Sequence, residues 1–268
     1  MERRTIREEV MIEGTGIHSG STVTVHLRPA SGGIVFIRAG LRIPACPVNV
    51  IDTRLNTTIG SGSVRISTIE HLMAALYGAG ITDCDIEVSG DEIPAMDGSA
   101  LPFVRLLRDT GTACLGLVRT PIDITGAIRV EDGISWIEAV PGDFSLSYEI
   151  DFPDAAIGKL CYTFAGTDFP GEIAPARTFG RMQDVETMRS AGLALGGGLH
   201  NAVVVDGERV LNPEGLRFPD EFVRHKVLDL LGDLWTLQAP LNAGIRAYRA
   251  NHTLHIRLAR FIFEGMQG

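Results

Sequence analysis

Phe222-Val223-Arg224-His225-Lys226-Val227-Leu228-Asp229-Leu230-Leu231-Gly232-Asp233-Leu234 reads as one face-segregated helix, from about Asp220 to Leu234. At roughly 100° per residue, His225, Asp229 and Asp233 follow one another about 40° apart and line a single face. Phe222 and Lys226 flank that face, and Val223, Val227, Leu230, Leu231 and Leu234 supply the apolar side. His225-Lys226-Val227-Leu228-Asp229-Leu230-Leu231-Gly232 aligns without gaps to His71-Leu72-Met73-Ala74-Ala75-Leu76-Tyr77-Gly78, sharing the histidine, one leucine and the glycine. Apolar helices followed by glycine resemble one another, so this echo alone leaves duplication open. Strands followed by helices recur on either side of it, which predicts an α+β protein of two similar halves packed together.

Outward from the first echo, Ser21–Leu27 alternates, and Gly33–Ile37 is a β-branched run, so both predict strands. A helix is expected from about Ser67 to Tyr77, with Ser67 and Glu70 as a capping box and Gly78 and Gly80 as its stop. A strand near Cys84–Val88 comes next, then a helix with Ser99 as N-cap, Leu101–Leu107 as its body and Gly111 as its end. Gly116–Pro121 is the best boundary and divides the chain into domains 1–118 and 119–268. Beyond it, strands are expected around Ile128–Val130, Ser135–Val140 and Phe144–Ile150, and a helix near Gln183–Ala191. Ala202–Val210 predicts a hairpin with Asp206-Gly207 as a type I′ turn. A final helix is expected from about Thr253 to Phe263.

The 268 residues carry 33 acidic and 24 basic side chains, a formal net charge of −9 that argues against a nucleic-acid binder working through a broad basic face. Hydrophobic content of 45% fits a folded protein and not a disordered one. No apolar run reaches the length of a membrane span, and the charged start Met1–Glu9 lacks a signal-peptide core. Cys46, Cys84, Cys114 and Cys161 show no C-x-x-C pairing, which favours buried free thiols over disulfides or a thiolate metal site and predicts a cytoplasmic location. Only two basic residues are lysines, Lys159 and Lys226.

His225 and Asp229, one turn apart, can give two ligands to one divalent ion, although the same spacing also describes a solvated i,i+4 pair. Glu70-His71 offers a third ligand and an adjacent base; its plain alternative is a capping acid followed by a first-turn polar residue. The H-E-x-x-H signature is absent, since Ala75 lies four residues after His71. His252, with His255 at i+3, can act as a proton carrier if Asp233 orients it, and is otherwise a structural histidine. Gly196-Gly197-Gly198 fits no dinucleotide or P-loop fingerprint and reads as a turn.

Five blocks together resemble the zinc-dependent UDP-3-O-acyl-N-acetylglucosamine deacetylases of lipid A synthesis. They are Ser67–Leu72, Glu92–Ala100, Ala176–Gly180, Leu211–Phe218 and Phe222–Leu234, and they span nearly the whole chain in order. The resemblance implies two β-α-α-β sandwich domains with the active site between them and one Zn²⁺ per chain. It implies His71, His225 and Asp229 as zinc ligands and Glu70 as general base. His252, oriented by Asp233, would protonate the leaving amine, and Thr178 would help hold the oxyanion. Lys226 and Phe179 would contact the substrate, and Arg249 would meet its phosphates. The implied partner is an acylated UDP-amino-sugar, with no nucleic acid, no membrane span and a monomer favoured. Two alternatives stand beside it: a related zinc deacetylase for a different N-acyl sugar, or a zinc-containing binding protein without turnover.

Two departures bear on these readings. Arg181 follows Gly180 where many members carry an apolar residue near the acyl-chain passage. Around His252 the chain reads Arg249-Ala250-Asn251-His252-Thr253-Leu254-His255, where the family pattern has glycine before the histidine and asparagine at 255. Asn251 tolerates glycine-like conformations better than most residues, so the site is expected to survive the change.

Overall fold

A computed structural model of the chain describes residues 1–266. Two main sheets share one topology. The first contains β1 (Val10–Thr15), β2 (Thr22–Arg28), β3 (Ile34–Arg38), β4 (Leu41–Pro44) and β5 (Cys84–Val88), in the order β1-β2-β5-β3-β4. The second contains β6 (Ile128–Asp132), β7 (Ser135–Pro141), β8 (Ser145–Asp151), β9 (Lys159–Phe164) and β10 (Leu241–Tyr248), in the order β6-β7-β10-β8-β9. In each sheet the strand made last lies in the middle, antiparallel to the second strand and parallel to the third.

The helices repeat as well. Helix α1 (Glu70–Gly78) precedes β5 and α2 (Leu101–Thr110) follows it, while α4 (Glu221–Leu234) precedes β10 and α5 (His252–Gly265) follows it. Each half also inserts a small three-stranded sheet between its fourth main strand and its first helix. In the first half this is Val50–Asp52, Thr58–Ser61 and Val64–Ile66; in the second it is Phe179–Arg181, Val203–Asp206 and Arg209–Val210, with α3 (Met182–Ser190). The α+β architecture of two similar units is therefore present down to strand order.

The alternating burial of Val23, Val25 and Leu27 on β2, and of Leu241, Ala243, Ile245 and Ala247 on β10, turns one face of each sheet onto helices. Helix α1 is covered on every side, with Glu70 to Leu76 all buried, and past Glu70 and His71 it is apolar from Leu72 to Leu76. It packs directly against α4, and the approach is closest at Gly232. A β-carbon there would sit 2.0 Å from the Glu70 carbonyl oxygen. Between the halves, the Gln238 amide accepts from Ile34 N at 3.0 Å and donates to the Ile34 and Ala45 carbonyls.

Several local expectations are corrected. The Ser67-x-x-Glu70 capping box does not form; α1 begins at Glu70, Ser67 Oγ donates to the Asp91 carbonyl, and the Glu70 carboxylate serves Thr57 instead. Helix α2 has Ala100 at its N-cap, one residue beyond Ser99, although Ser99 Oγ still accepts from Leu101 N. In the hairpin, Asp206 pairs with Arg209, so the turn is Gly207-Glu208. Gly207 has φ +59° and Glu208 is not in the left-handed region, which makes the turn II′ in type, with glycine first. Asn251 is extended (φ −147°) and caps α5 by accepting from Leu254 N; the left-handed residue is Arg249, at φ +49°. All four cysteines are free, but only Cys84 is buried, and Cys114 and Cys161 are exposed. Strands β9 and β10 were not expected from the sequence.

Candidate active site between the two halves

The end of α1 and one face of α4 meet at a buried cluster of histidines and carboxylates. His71 stands in the first turn of α1, and His225, Asp229 and Asp233 rise in successive turns of α4. His71 Nε2 lies 3.6 Å and His225 Nε2 3.3 Å from Asp229 Oδ1, and the two rings meet edge to face at 5.0 Å. His225 Nδ1 donates to the Ala176 carbonyl at 3.1 Å, which fixes the tautomer and turns the Nε2 lone pair inward. Burial lowers the His225 pKa to about 3, so the ring is neutral at working pH.

Lys226 Nζ donates to Asp229 Oδ2 at 2.7 Å, leaving Oδ1 for the two histidines. Burial works to raise the Asp229 carboxyl, but the His225 imidazole, the Lys226 ammonium and the His71 and His252 rings around it outweigh burial and hold it well below the usual carboxylate range. One carboxylate oxygen and two imidazole nitrogens, mutually within 4.8 Å and buried, are a donor set able to hold a divalent ion.

Beside this set lies Glu70, 3% exposed, whose Oε2 accepts from Thr57 N at 2.9 Å. Burial raises its pKa above the ordinary carboxyl value, against the pull of His252 and His71. His252 Nδ1 donates to Asp233 Oδ2 at 2.8 Å, and His252 Nε2 lies 4.0 Å from Asp229 Oδ2. Desolvation acts to lower the His252 pKa, but Asp233, Asp229 and Glu70 overcome it and raise the value to about 9. Asp233 also accepts from Thr57 Oγ1 at 2.5 Å and from His255 Nδ1 at 2.8 Å. Burial would raise Asp233; its bonds to His252 and His255 keep it ionised.

A cavity of about 400 Å³ opens on Glu70, His71 and Thr178 and runs on past Phe179 toward Met182, Met188 and Leu199. Thr178 is pinned by backbone bonds to Gly98 O and from Val203 N, and its side chain lines the wall. Phe179 packs edge-on against Phe152 and Phe222, with Lys226 Nζ 5.6 Å from its ring centre. Gly197 and Gly198, read from the sequence as a turn, also line this cavity. Arg181 does not, because its Nε pairs with Asp154 Oδ2 at 2.6 Å. Arg249 stands outside the cavity lining, with its guanidinium 3.8 Å from Asp151.

Sequence reading missed two contributors. Thr57 bonds both Glu70 and Asp233, which lie 13 and 176 residues away, and no spacing marks such a residue. His255, one turn after His252 on α5, was noted without its bond to Asp233.

A buried His-His-Asp set facing a carboxylate and a second His–Asp pair, clasped between duplicated α+β halves, is the equipment of a metal-dependent hydrolase. A sequence model of the UDP-3-O-acyl N-acetylglycosamine deacetylases matches residues 3–264. A deacetylase of that name from Acidithiobacillus ferrooxidans is 45% identical, covering 97% of this chain and 89% of its own length. Those from Histophilus somni (44%; 100% of this chain, 92% of its own) and Myxococcus xanthus (44%; 98% and 86%) are similarly close. The chain belongs to the UDP-3-O-acyl-N-acetylglucosamine deacetylase family, a family of metalloenzymes.

Proposed function

We propose that this protein is a zinc-dependent deacetylase that hydrolyses the N-acetyl group of a UDP-3-O-acyl-N-acetylglucosamine, releasing acetate in the committed step of lipid A synthesis. The observation carrying this reading is the convergence of His71, His225 and Asp229, with His71 and the neighbouring Glu70 lining the cavity. His71, His225 and Asp229 would hold one Zn²⁺ per chain, since each presents an inward donor atom and His225 is already held in the required tautomer. When bound, the ion supplies Lewis acidity, acidifying water and polarising an acyl carbonyl.

The chain's own groups carry the proton traffic. Glu70 keeps one oxygen on Thr57 N and takes the proton of the attacking water with the other. The Thr178 hydroxyl donates to the oxyanion, a contact whose loss costs roughly 3–4 kcal/mol in such sites. His252, kept cationic by Asp233, delivers a proton to the departing amine so that the C–N bond can break. Lys226 and Phe179 flank the substrate. Arg249, about 38% exposed and only loosely paired at 3.8 Å, is free to meet the diphosphate.

Residues 1–118 and 119–268 are taken as the two domains; the strand Thr112–Val118 returns to pair with Glu2–Ile6 and so closes the first. No helix among the described residues is long and apolar enough to cross a membrane. A cytoplasmic location and a monomeric state remain part of this proposal; all four cysteines are free thiols. Arg181, which motivated a different N-acyl sugar, is tied to Asp154 and gives that alternative no support.

The test is acetate release from acylated and unacylated UDP-N-acetylglucosamine. Strong preference for the acylated substrate is expected, and equal turnover would sink the reading. The rate should be bell-shaped in pH. Activity falls at low pH as Glu70 gains a proton, at a pH above the ordinary carboxyl range because its pKa is raised. It falls at high pH as His252 loses its proton, from about 9 downward once a bound dication disfavours the imidazolium. A rate still rising at pH 10 would contradict the assignment of His252 as acid.

A further inference from the structure

His255 has no part in the proton traffic above, yet it is fully buried against it. The structure assigns His255 as a positioning residue that holds the Asp233 carboxylate in the orientation His252 requires. This inference rests on the deacetylase reading of the site.

Asp233 Oδ2 is shared by two imidazoles, His252 Nδ1 and His255 Nδ1, each at 2.8 Å, with ring centres 5.8 Å apart. An ionised carboxylate only accepts, so both ring nitrogens donate. The other oxygen, Oδ1, accepts from Thr57 Oγ1. A carboxylate bonded to His252 alone can rotate about its Cβ–Cγ bond and carry the imidazole with it. Donors on both oxygens, one of them shared, remove that freedom.

His255 is itself fixed from behind. Its Nε2 lies 3.0 Å from the hydroxyl of Tyr148, a fully buried residue of β8, and the single hydrogen of that hydroxyl is shared between Nε2 and the Ala250 carbonyl at 2.8 Å. The sheet of the second half is thus linked through Tyr148, His255 and Asp233 to the ring of His252. Burying an imidazole where a leucine would cost nothing in desolvation is unfavourable unless its bonds are used. Here both nitrogens are used, and one bond reaches the group that orients the acid.

The two ends of the ring can be separated chemically. The asparagine amide nitrogen is attached to Cγ, where the histidine Nδ1 is attached, so His255→Asn keeps a donor toward Asp233 and loses Tyr148. The glutamine amide lies one carbon further out, near the Nε2 position, so His255→Gln keeps a partner for Tyr148 and withdraws from Asp233. A purely structural histidine would be replaced better by glutamine, and a positioning one by asparagine.

The experiment measures kcat, KM, metal content and melting temperature on the acylated substrate for the wild-type protein and for His255→Leu, His255→Asn and His255→Gln. The leucine variant should lose ten- to hundredfold in kcat, with KM and metal content unchanged. Asparagine should recover kcat to within about threefold of wild type, and glutamine should not. The low-field proton resonance of the His252–Asp233 bond should move in the leucine variant and return with asparagine, whether or not metal is loaded. Wild-type kcat in the leucine variant, a loss carried by KM or metal, or equal rescue by glutamine would overturn the assignment. If the leucine variant does not fold, the asparagine–glutamine comparison decides by the same criterion. An inactive wild-type protein would instead count against the deacetylase reading, and the resonance would still test the positioning role.

Discussion

Glu70→Gln is expected to lower kcat by about a thousandfold, the middle of the range for losing a general base, while metal content stays at the wild-type level. The substitution keeps the volume and keeps an oxygen for Thr57 N, which donates to Glu70 Oε2 at 2.9 Å. It removes a carboxylate that lines the cavity and belongs neither to the His-His-Asp set nor to the Asp233–His252 pair. A neutral amide cannot take a proton from water. Turnover measured beside elemental analysis of the same preparation checks this. Activity within tenfold of wild type would exclude Glu70 as the base, and simultaneous loss of metal would move it into the ligand set.

The second large effect lies in the backbone. Gly232→Ala is expected to destabilise the fold by about 3 kcal/mol and lower the melting temperature by about 10 °C. The new β-carbon would meet the carbonyl oxygen of Glu70 at 2.0 Å, its carbonyl carbon at 2.8 Å and its α-carbon at 3.1 Å. All three are main-chain atoms, so no side chain can rotate away, and α1 and α4 must separate. His71 and Glu70 ride on α1 while His225 and Asp229 ride on α4, so separation spreads the ligand set. A misplacement of about 1 Å is enough to cost on the order of a hundredfold in rate. Calorimetry and turnover on one preparation check both parts. A variant with wild-type melting and activity would show that the interface tolerates a methyl group.

The same glycine shows where sequence reading succeeds and where it stops. Its alignment with Gly78 was part of the echo that pointed to two halves, and the shared sheet topology bears out the repeated architecture. Gly232 lies inside α4, which runs to Leu234 as the periodicity predicts, but its close packing against the Glu70 backbone is something no local rule announces. The helical period alone put His225, Asp229 and Asp233 on one face, because regular geometry fixes relative direction. Strand β10 alternates as β2 does, with Leu241, Ala243, Ile245 and Ala247 against Asn242, Gly244 and Arg246, but its small alanines and glycine have weak strand propensity and mask the pattern. Glu70 was legible as a helix-start acid, but its carboxylate is bonded to Thr57 and not to its own helix. Local rules assign a polar group to its nearest partner, and here the nearest in space is on another element. His255 fell to the same limit, since its partners Asp233 and Tyr148 come from a helix and a strand far earlier in the chain.

The Thr57 bonds to Asp233 and His252 span 176 and 195 residues, and the Gln238 bond to Ile34 spans 204. Closure over such separations comes late in folding, after its entropy has been offset by local structure. During synthesis from the N-terminus the first half can form its sheet, but α1 then has an apolar face that waits for α4 and other parts of the second half. His252 lies on α5, beyond α4, so the proposed catalytic constellation is incomplete on the nascent chain until both halves have been made. A chain cut off before α4 therefore presents an apolar helix face and only part of the proposed site.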